Sequence, residues 1–280
     1  MFKINPKIFA HQAALENGNY VLHDHILHKV DDQKVKLFKR YCPHRMYPLH
    51  EVGDVVTDIT CKFHNFQWDM NGAPINNDKN LGCGKATIGQ SGLIFTDFTE
   101  PNHSWVSDLL SEKNLKYSHS FSGVSKGNWL WMMDIQADLL HIQKNGIHPE
   151  LSQLIDLDEV ITDQGDGWAL QTYSGGWWLC IYPYTFVEYS KGCLAINYTV
   201  PNDKNDQFNF DWFSQFYFDP LIEEDKRKSF QKYFQDVFLE DLVAIEKQKG
   251  KYFPLMNTTD RLETHCVHFG EWYLNNSTQQ

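Results

Sequence analysis

Cys42-Pro43-His44-Arg45 and, with sixteen residues intervening after His44, Cys61-Lys62-Phe63-His64 decide how the N-terminal part of this chain is read. Each segment holds one thiol and one imidazole at short spacing in turn-rich sequence, so two facing loops can present four ligands. A tetrahedral zinc takes two thiolates and two imidazoles, ordinarily from a Cys pair followed by a His pair. A [2Fe–2S] cluster can instead take two thiolates on one iron and two neutral imidazoles on the other. With one Cys and one His in each loop, both loops reach both irons. That interleaved order suits the cluster and not the ordinary zinc finger; a zinc-stabilised binding module is the weaker alternative.

Outward from these loops, residues 18 to 97 read as short strands and turns. Residues 20–30 and 34–38 flank an Asp31-Asp32-Gln33 turn, which predicts a hairpin. Gly53, Asn71-Gly72, Gly82, Gly84, Gly89 and Gly92 punctuate the rest, as in a small β-rich domain. From about residue 98 the texture changes. Residues 107–115 and 129–144 have helical spacing, 168–172, 177–188 and 193–199 are strand-like, and a long helix is expected over 222–249. The expectation is an α+β chain with two domains, 1–97 and 98–280, and no internal repeat.

The 280 residues carry 25 Lys and Arg against 36 Asp and Glu, a net charge of −11 that disfavours nucleic acid and anionic membranes as partners. With 42% hydrophobic and 22% charged residues, the composition is that of a folded protein. The apolar stretches at 129–133 and 177–184 are far shorter than the roughly 20 residues that span a bilayer. The opening MFKINPKIFAHQAALENG lacks a signal-peptide core, so a soluble, cytoplasmic protein is expected. Cys42, Cys61, Cys83, Cys180, Cys193 and Cys266 are too scattered for a disulfide framework and read as reduced thiols. Lys34, Lys36, Lys39, Arg40 and Arg45 form a local basic run that could dock an acidic electron-transfer protein or be a solvated strand face. His23, His25 and His28 read as structural, since only the first two share a strand face.

A second constellation lies in the C-terminal part. Asp134, Asp138 and His141 recur at i, i+4 and i+7 of the expected 129–144 helix, and His148 precedes Pro149. In the long helix, Phe234, Phe238, Asp241 and Ile245 form one stripe, which places Asp241 on the core side, where an unpaired carboxylate is costly. Glu240 and Glu246 lie off that stripe. Two imidazoles and one carboxylate make the facial triad that leaves open positions on non-haem Fe(II).

The first motif resembles the Rieske signature: Cys42-x-His44 and Cys61-x-x-His64, with Pro43, Arg45 and Leu49 fitting the usual first loop. In the second loop Lys62 replaces a frequent Pro and Asn65 a frequent Gly. The later stretch is similar to the catalytic domain of the Rieske non-haem iron oxygenases, the ring-hydroxylating dioxygenase α-subunit family. It carries the Asn128-Trp129 start, Asp138 and His141, His148-Pro149, and Leu239-Glu240-Asp241. The resemblance runs from about Tyr20 to Trp272. It implies a small all-β Rieske domain followed by a helix-grip (START-like) α+β catalytic domain. It implies a [2Fe–2S] cluster on Cys42, His44, Cys61 and His64, and a mononuclear Fe(II) on His141, His148 and Asp241. Asp138 becomes the catalytic carboxylate that bridges to a cluster His of the neighbouring subunit. Ile135 stands where many members have Asn, and the six residues between His141 and His148 exceed the usual spacing.

The implied activity is that of an oxygenase component, with electrons from NAD(P)H through a ferredoxin or reductase, O2 as co-substrate, and a head-to-tail homotrimer. Trp168, Trp177, Trp178, Tyr182, Tyr184 and Phe186 are the expected pocket region, equally readable as core. Aromatic walls suit a stacked ring or a methylated ammonium, so hydroxylation and oxidative demethylation both stay open. The rival is a Rieske electron-transfer or ligand-binding protein whose second metal site does not function.

Overall fold

Two compact units make up the chain, Ile4–Ser111 and Glu112–Gln280. The computed structural model describes residues 7–11, 18–22, 25–31, 34–51, 54–84, 86–88, 93–96, 104–143, 146–183, 185–201, 209–248 and 251–277. His23, Gly53, Gly89, Gly92, Asn145 and Tyr184, which entered the sequence reading, lie outside these.

The N-terminal unit is built from short antiparallel strands. In chain order they are β1 (Lys7–His11), β2 (Gly18–Leu22), β3 (His25–Asp31), β4 (Lys34–Lys39), β5 (Val55–Val56), β6 (Ile59–Cys61), β7 (Phe66–Trp68), β8 (Cys83–Gly84), β9 (Ala86–Ile88) and β10 (Leu93–Thr96). They form a five-stranded sheet ordered β5-β2-β3-β4-β8, a three-stranded sheet β1-β10-β9, and the hairpin β6-β7. The expected hairpin is present as β3–β4, running from His25 opposite Lys39 to Asp31 opposite Lys34. The single strand read over 20–30 is instead two, with Leu22 paired to His25. Val21, Ile26, Phe38, Leu49, Ile59, Trp68 and Leu81 pack into one core that also contains Cys42 and Cys61.

After α1 (Ser104–Glu112), the C-terminal unit contains β11 (Lys116–Lys126), α2 (Leu130–Ala137), α3 (Leu151–Leu154), β12 (Ile161–Gly165), β13 (Trp168–Tyr173), β14 (Gly176–Ile181), β15 (Thr185–Ser190), β16 (Cys193–Pro201), β17 (Asn209–Phe218), α4 (Glu224–Lys247) and α5 (Thr264–Ser277). β12 to β17 form an antiparallel meander, and β11 closes the far edge against β17. The long strand read over 177–188 is the hairpin β14–β15, because Pro183 has no N–H for a ladder and ends the first strand.

The long helix α4 lays Phe234, Phe238, Asp241, Leu242 and Ile245 toward the core. Acidic Glu224 and Asp225 open it and Lys247 closes it, each favourable to the helix dipole. Its apolar stripe packs with α2, α5 and the sheet into the largest core of the unit, around Trp178, Phe210, Trp212 and Phe269. This long helix on an antiparallel sheet is the expected helix-grip arrangement. No helix among the described residues is long and apolar enough to cross a membrane.

The helix expected over 129–144 is shorter. It ends at Ala137, and Asp138 is extended with φ −85° and ψ 117°. The Asp138 carboxylate accepts a 2.6 Å bond from the Leu140 N–H, starting a separate 3-10 turn over Leu140–Ile142. A side chain that competes for backbone donors ends the helix without Gly or Pro. The polar stripe therefore divides. Asp134 stays on the helix, its carboxylate accepting 2.8 Å from the Tyr252 hydroxyl, while Asp138 and His141 belong to the turn.

Burial pushes the Asp134 carboxyl up to about 7, against the Tyr252 hydrogen bond and with Asp138 adding to the rise. The folded state then holds this proton over a window where the unfolded chain has lost it, so stability falls as pH rises from about 4 to about 7. Asp134→Asn keeps an acceptor for Tyr252 and removes that loss. Thermal melts should show the variant gaining on the wild type between pH 5 and pH 8, by ~2–4 °C for each kcal/mol recovered. An equal gap at both pH values would contradict this account.

Candidate functional site

The two Cys/His loops meet at one end of the N-terminal unit. In the first, the Cys42 N–H donates to Tyr47 O at 2.9 Å and the Met46 N–H to Cys42 O at 2.9 Å. In the second, Cys61 ends β6 of the β6–β7 hairpin and Asn65 N–H donates to Cys61 O at 2.8 Å. Asn65 has φ 59°, a left-handed conformation that Asn tolerates better than most residues, so it does the work of the more usual Gly. The Asn76 side chain ties this loop down, donating to Asn65 O and accepting from the Gln67 N–H, both at 2.8 Å.

These loops sort their ligands by polarity. Cys42 and Cys61 are each 1% exposed, whereas His44 is half-buried and His64 exposed. The two imidazoles face each other with Nδ1 atoms 3.2 Å apart. Burial raises the Cys42 thiol, while backbone N–H groups of His44 and Arg45 point at its sulfur and oppose that rise. Burial and then the neighbouring His64 hold the His44 imidazole below its ordinary range, in the neutral form a metal ligand needs. Two buried thiols and two more exposed imidazoles are a donor set that would fit a two-iron cluster.

In the C-terminal unit His141, His148 and Asp241 converge, with one ligand atom from each lying within 4.8 Å of the others. His148 Nε2 is 2.7 Å and His141 Nε2 3.8 Å from Asp241 Oδ1. The two imidazole rings are edge to face, 5.2 Å between centroids. His148 is fully buried and Asp241 is 2% exposed. Each of the three is held from behind. The Asp138 carbonyl lies against His141 Nδ1, Glu240 Oε2 is 2.8 Å from His148 Nδ1, and Gln136 Nε2 donates 2.7 Å to Asp241 Oδ2. This leaves both Nε2 atoms and Asp241 Oδ1 aimed at a common point, the arrangement a metal needs of its ligands and their supports. Burial lowers His141, opposed by Asp241; burial also acts downward on His148, but Asp241 and then Glu240 outweigh it and raise this imidazole.

The long His141–His148 spacing is absorbed by a turn pinned on its own start. Ile147 N–H and His148 N–H both donate to the His141 carbonyl, at 2.7 and 3.3 Å. Gly146 makes this possible, since a Cβ there would overlap that carbonyl oxygen.

Gln136 and Glu240 were not singled out from the sequence as supports. Gln136 gave one usable signal, a polar residue in the apolar run Leu130–Ala137. Glu240 gave none, because its position off the apolar stripe looked like a solvated face. Of the expected pocket aromatics, Trp178, Tyr182 and Phe186 fill the core, and Trp177 stacks on Tyr189. Arg40 drops out of the basic run as a surface charge: it is buried and donates to the Tyr41 hydroxyl at 3.1 Å. His25 lies on β3, its Nε2 3.1 Å from Lys39 Nζ.

Comparison with known proteins places the two units in a known fold. Residues 8–83 match the Rieske [2Fe-2S] domain family. No curated protein sequence matches the chain. Among solved structures, the quaternary ammonium Rieske monooxygenase CntA in complex with L-carnitine superposes with a TM-score of 0.67 at 18% identity, over 98% of this chain and 88% of that one. NdmA of Pseudomonas putida CBB5 gives 0.64 at 17% identity over 96% and 88%. Dicamba monooxygenase bound to 3,6-dichlorosalicylic acid gives 0.65 at 14% over 98% and 97%. Residues 8–83 are thus a Rieske domain, and the chain as a whole has the fold of the Rieske oxygenases.

The Gly146 turn can be tested directly. Gly146→Ala should lower unfolding free energy by about 1–3 kcal/mol in urea titrations, because backbone must move to admit the methyl group. A change below about 0.5 kcal/mol would mean that the turn is not held as described.

Proposed function

We propose that this chain, a Rieske [2Fe–2S] domain joined to a catalytic domain in the Rieske oxygenase fold, is an oxygenase component that hydroxylates or oxidatively demethylates a small organic substrate. The observation that carries the reading is the presence of two separate donor sets in one chain. Cys42, His44, Cys61 and His64 suit a Rieske cluster, and His141, His148 and Asp241 suit a mononuclear Fe(II). We assign domain boundaries near residue 97, between the strands of the first unit and helix α1.

When bound, the cluster relays electrons and the mononuclear iron activates O2 beside the substrate. The chain's own residues prepare for this. Cys42 and Cys61, set in an apolar core, would hold one side of the cluster, and the more exposed His44 and His64 would hold the other. Gln136 and Glu240 keep Asp241 and His148 from turning, so the site is organised before substrate arrives.

Electrons come from NAD(P)H through a ferredoxin or reductase, which Lys34, Lys39 and Arg45 help to seat on the otherwise acidic protein. Asp138 is the carboxylate that carries the connection from a neighbouring subunit's cluster to His141, in a head-to-tail homotrimer. Supporting this assembly, Ile147, Leu239 and Val243 expose an apolar patch beside His148 and Glu240. The relatives of known fold act in complexes with ligands as different as L-carnitine and 3,6-dichlorosalicylic acid, so fold alone leaves the substrate class open.

Asp138→Asn is the experiment. The amide can still accept from Leu140, so folding and cluster are kept, while the charge between cluster and His141 is lost. Substrate-dependent O2 uptake should fall by about tenfold to a hundredfold or more, with the reduced cluster's EPR spectrum unchanged. Unaltered turnover would contradict Asp138's role. A wild type that is reduced by its donor but never consumes O2 would make the chain an electron carrier.

A further inference from the structure

Beside the His141–His148–Asp241 site lies a cavity of about 410 Å³, within the range of small-molecule pockets. Its sheet wall includes Tyr173 and Glu188, and its helix wall includes Phe230, Tyr233 and Phe234 of α4. Phe234 and Asp241 share one face of α4 two turns apart, about 10 Å along the axis. The third wall begins at Leu151, three residues after His148. None of the three converging residues lines the cavity, but Asp241 and His148 lie close enough for their charges to bear on its Glu188.

Two polar groups on this cavity have no use within the fold. The Tyr233 hydroxyl is buried without a hydrogen-bond partner. Glu188, on β15 in the midst of the sheet, has no hydrogen-bond donor among the described residues, and the favourable charge that bears on it is the His148 imidazole. Burial, and then the charge of Asp241, push its carboxyl up to about 8. The group is half-buried, and a cation beside it would favour its charged form. Glu150 and Glu240 also bear on Tyr233, so the surroundings are acidic on more than one side.

Tyr173, Phe230 and Tyr233 bring aromatic rings to the same lining, and rings attract cations. A primary ammonium brings three N–H donors that need acceptors, whereas a fully methylated one needs only charge and ring faces. Carboxylate plus aromatic walls favour the methylated form. At the rim stand Lys191 and Lys226, both exposed, the latter 3.5 Å from Glu223. They favour an anionic group at the opposite end of the ligand.

We propose that this cavity admits a small betaine-like molecule, a methylated ammonium with an anionic tail, and that Glu188 selects its cation. The proposal rests on the oxygenase reading in taking this cavity as the substrate pocket of the triad, but its test needs no turnover.

Calorimetric titration of the full-length, iron-loaded protein compares two probes of the same shape, γ-butyrobetaine and 5,5-dimethylhexanoate, in which carbon replaces the charged nitrogen. The wild type should bind the betaine at least about tenfold tighter, as expected for a desolvated cation on a carboxylate and aromatic faces. Glu188→Gln should bring the two probes to within about twofold, chiefly by weakening the betaine relative to its carbon isostere. Equal binding of both probes by the wild type overturns the proposal, as does a Glu188→Gln variant that keeps the preference. Should Glu188→Gln fail to fold, the wild-type comparison alone decides. The two readings fail separately. A protein with mononuclear iron that prefers the carbon isostere loses only the betaine assignment. One that prefers the betaine but binds no such iron keeps the cavity assignment and loses the oxygenase.

Discussion

The buried carboxylate of Asp241 is the constraint around which the C-terminal unit is organised. A charge at 2% exposure on the core face of a helix is destabilising unless its oxygens are satisfied. Here His148 meets one oxygen at 2.7 Å and Gln136 donates to the other at 2.7 Å. Those contacts tie α2 and the turn after it to α4, 105 and 93 residues further along the chain. The apolar stripe of α4 brings the carboxylate to this place, and the early end of α2 at Asp138 frees the chain to bring His141 round to it.

The N-terminal unit solves a different problem with the same economy. Its thiols are packed among Val21, Ile26, Phe38 and Trp68, while its imidazoles reach solvent. A metal group held this way is insulated on one side and accessible on the other, which is what electron exchange with a partner requires. The loops achieve it through turns stabilised by backbone bonds and by Asn65 in a left-handed conformation, with few long-range contacts.

Much of this was legible in the sequence because the informative features are local. Cysteine and histidine spacing identified the two loops, and the i, i+4, i+7 recurrence of Phe234, Phe238 and Asp241 showed that a carboxylate faces the core. What was not legible depends on contacts between distant segments. The end of α2 comes from the Asp138 side chain capping the next turn, a choice the helical periodicity of 129–144 could not express. Strand β14 was merged with β15 because their apolar residues run on through Tyr182-Pro183. Strands β11 and β17 went unread although they pair along most of their length, since β11 is rich in serine and lacks an apolar run. Gln136, Glu240 and Glu188 became meaningful only when tertiary structure set them beside Asp241, His148 and an open cavity.

The central claim is that one chain holds two kinds of iron site. Iron, zinc and acid-labile sulfide per chain, measured on anaerobically purified protein supplied with Fe(II), test it most directly. The account predicts about three irons to two sulfides, a [2Fe–2S] cluster plus one mononuclear iron. About two irons to two sulfides, unchanged by added Fe(II), would contradict it, and zinc without sulfide would contradict both sites at once.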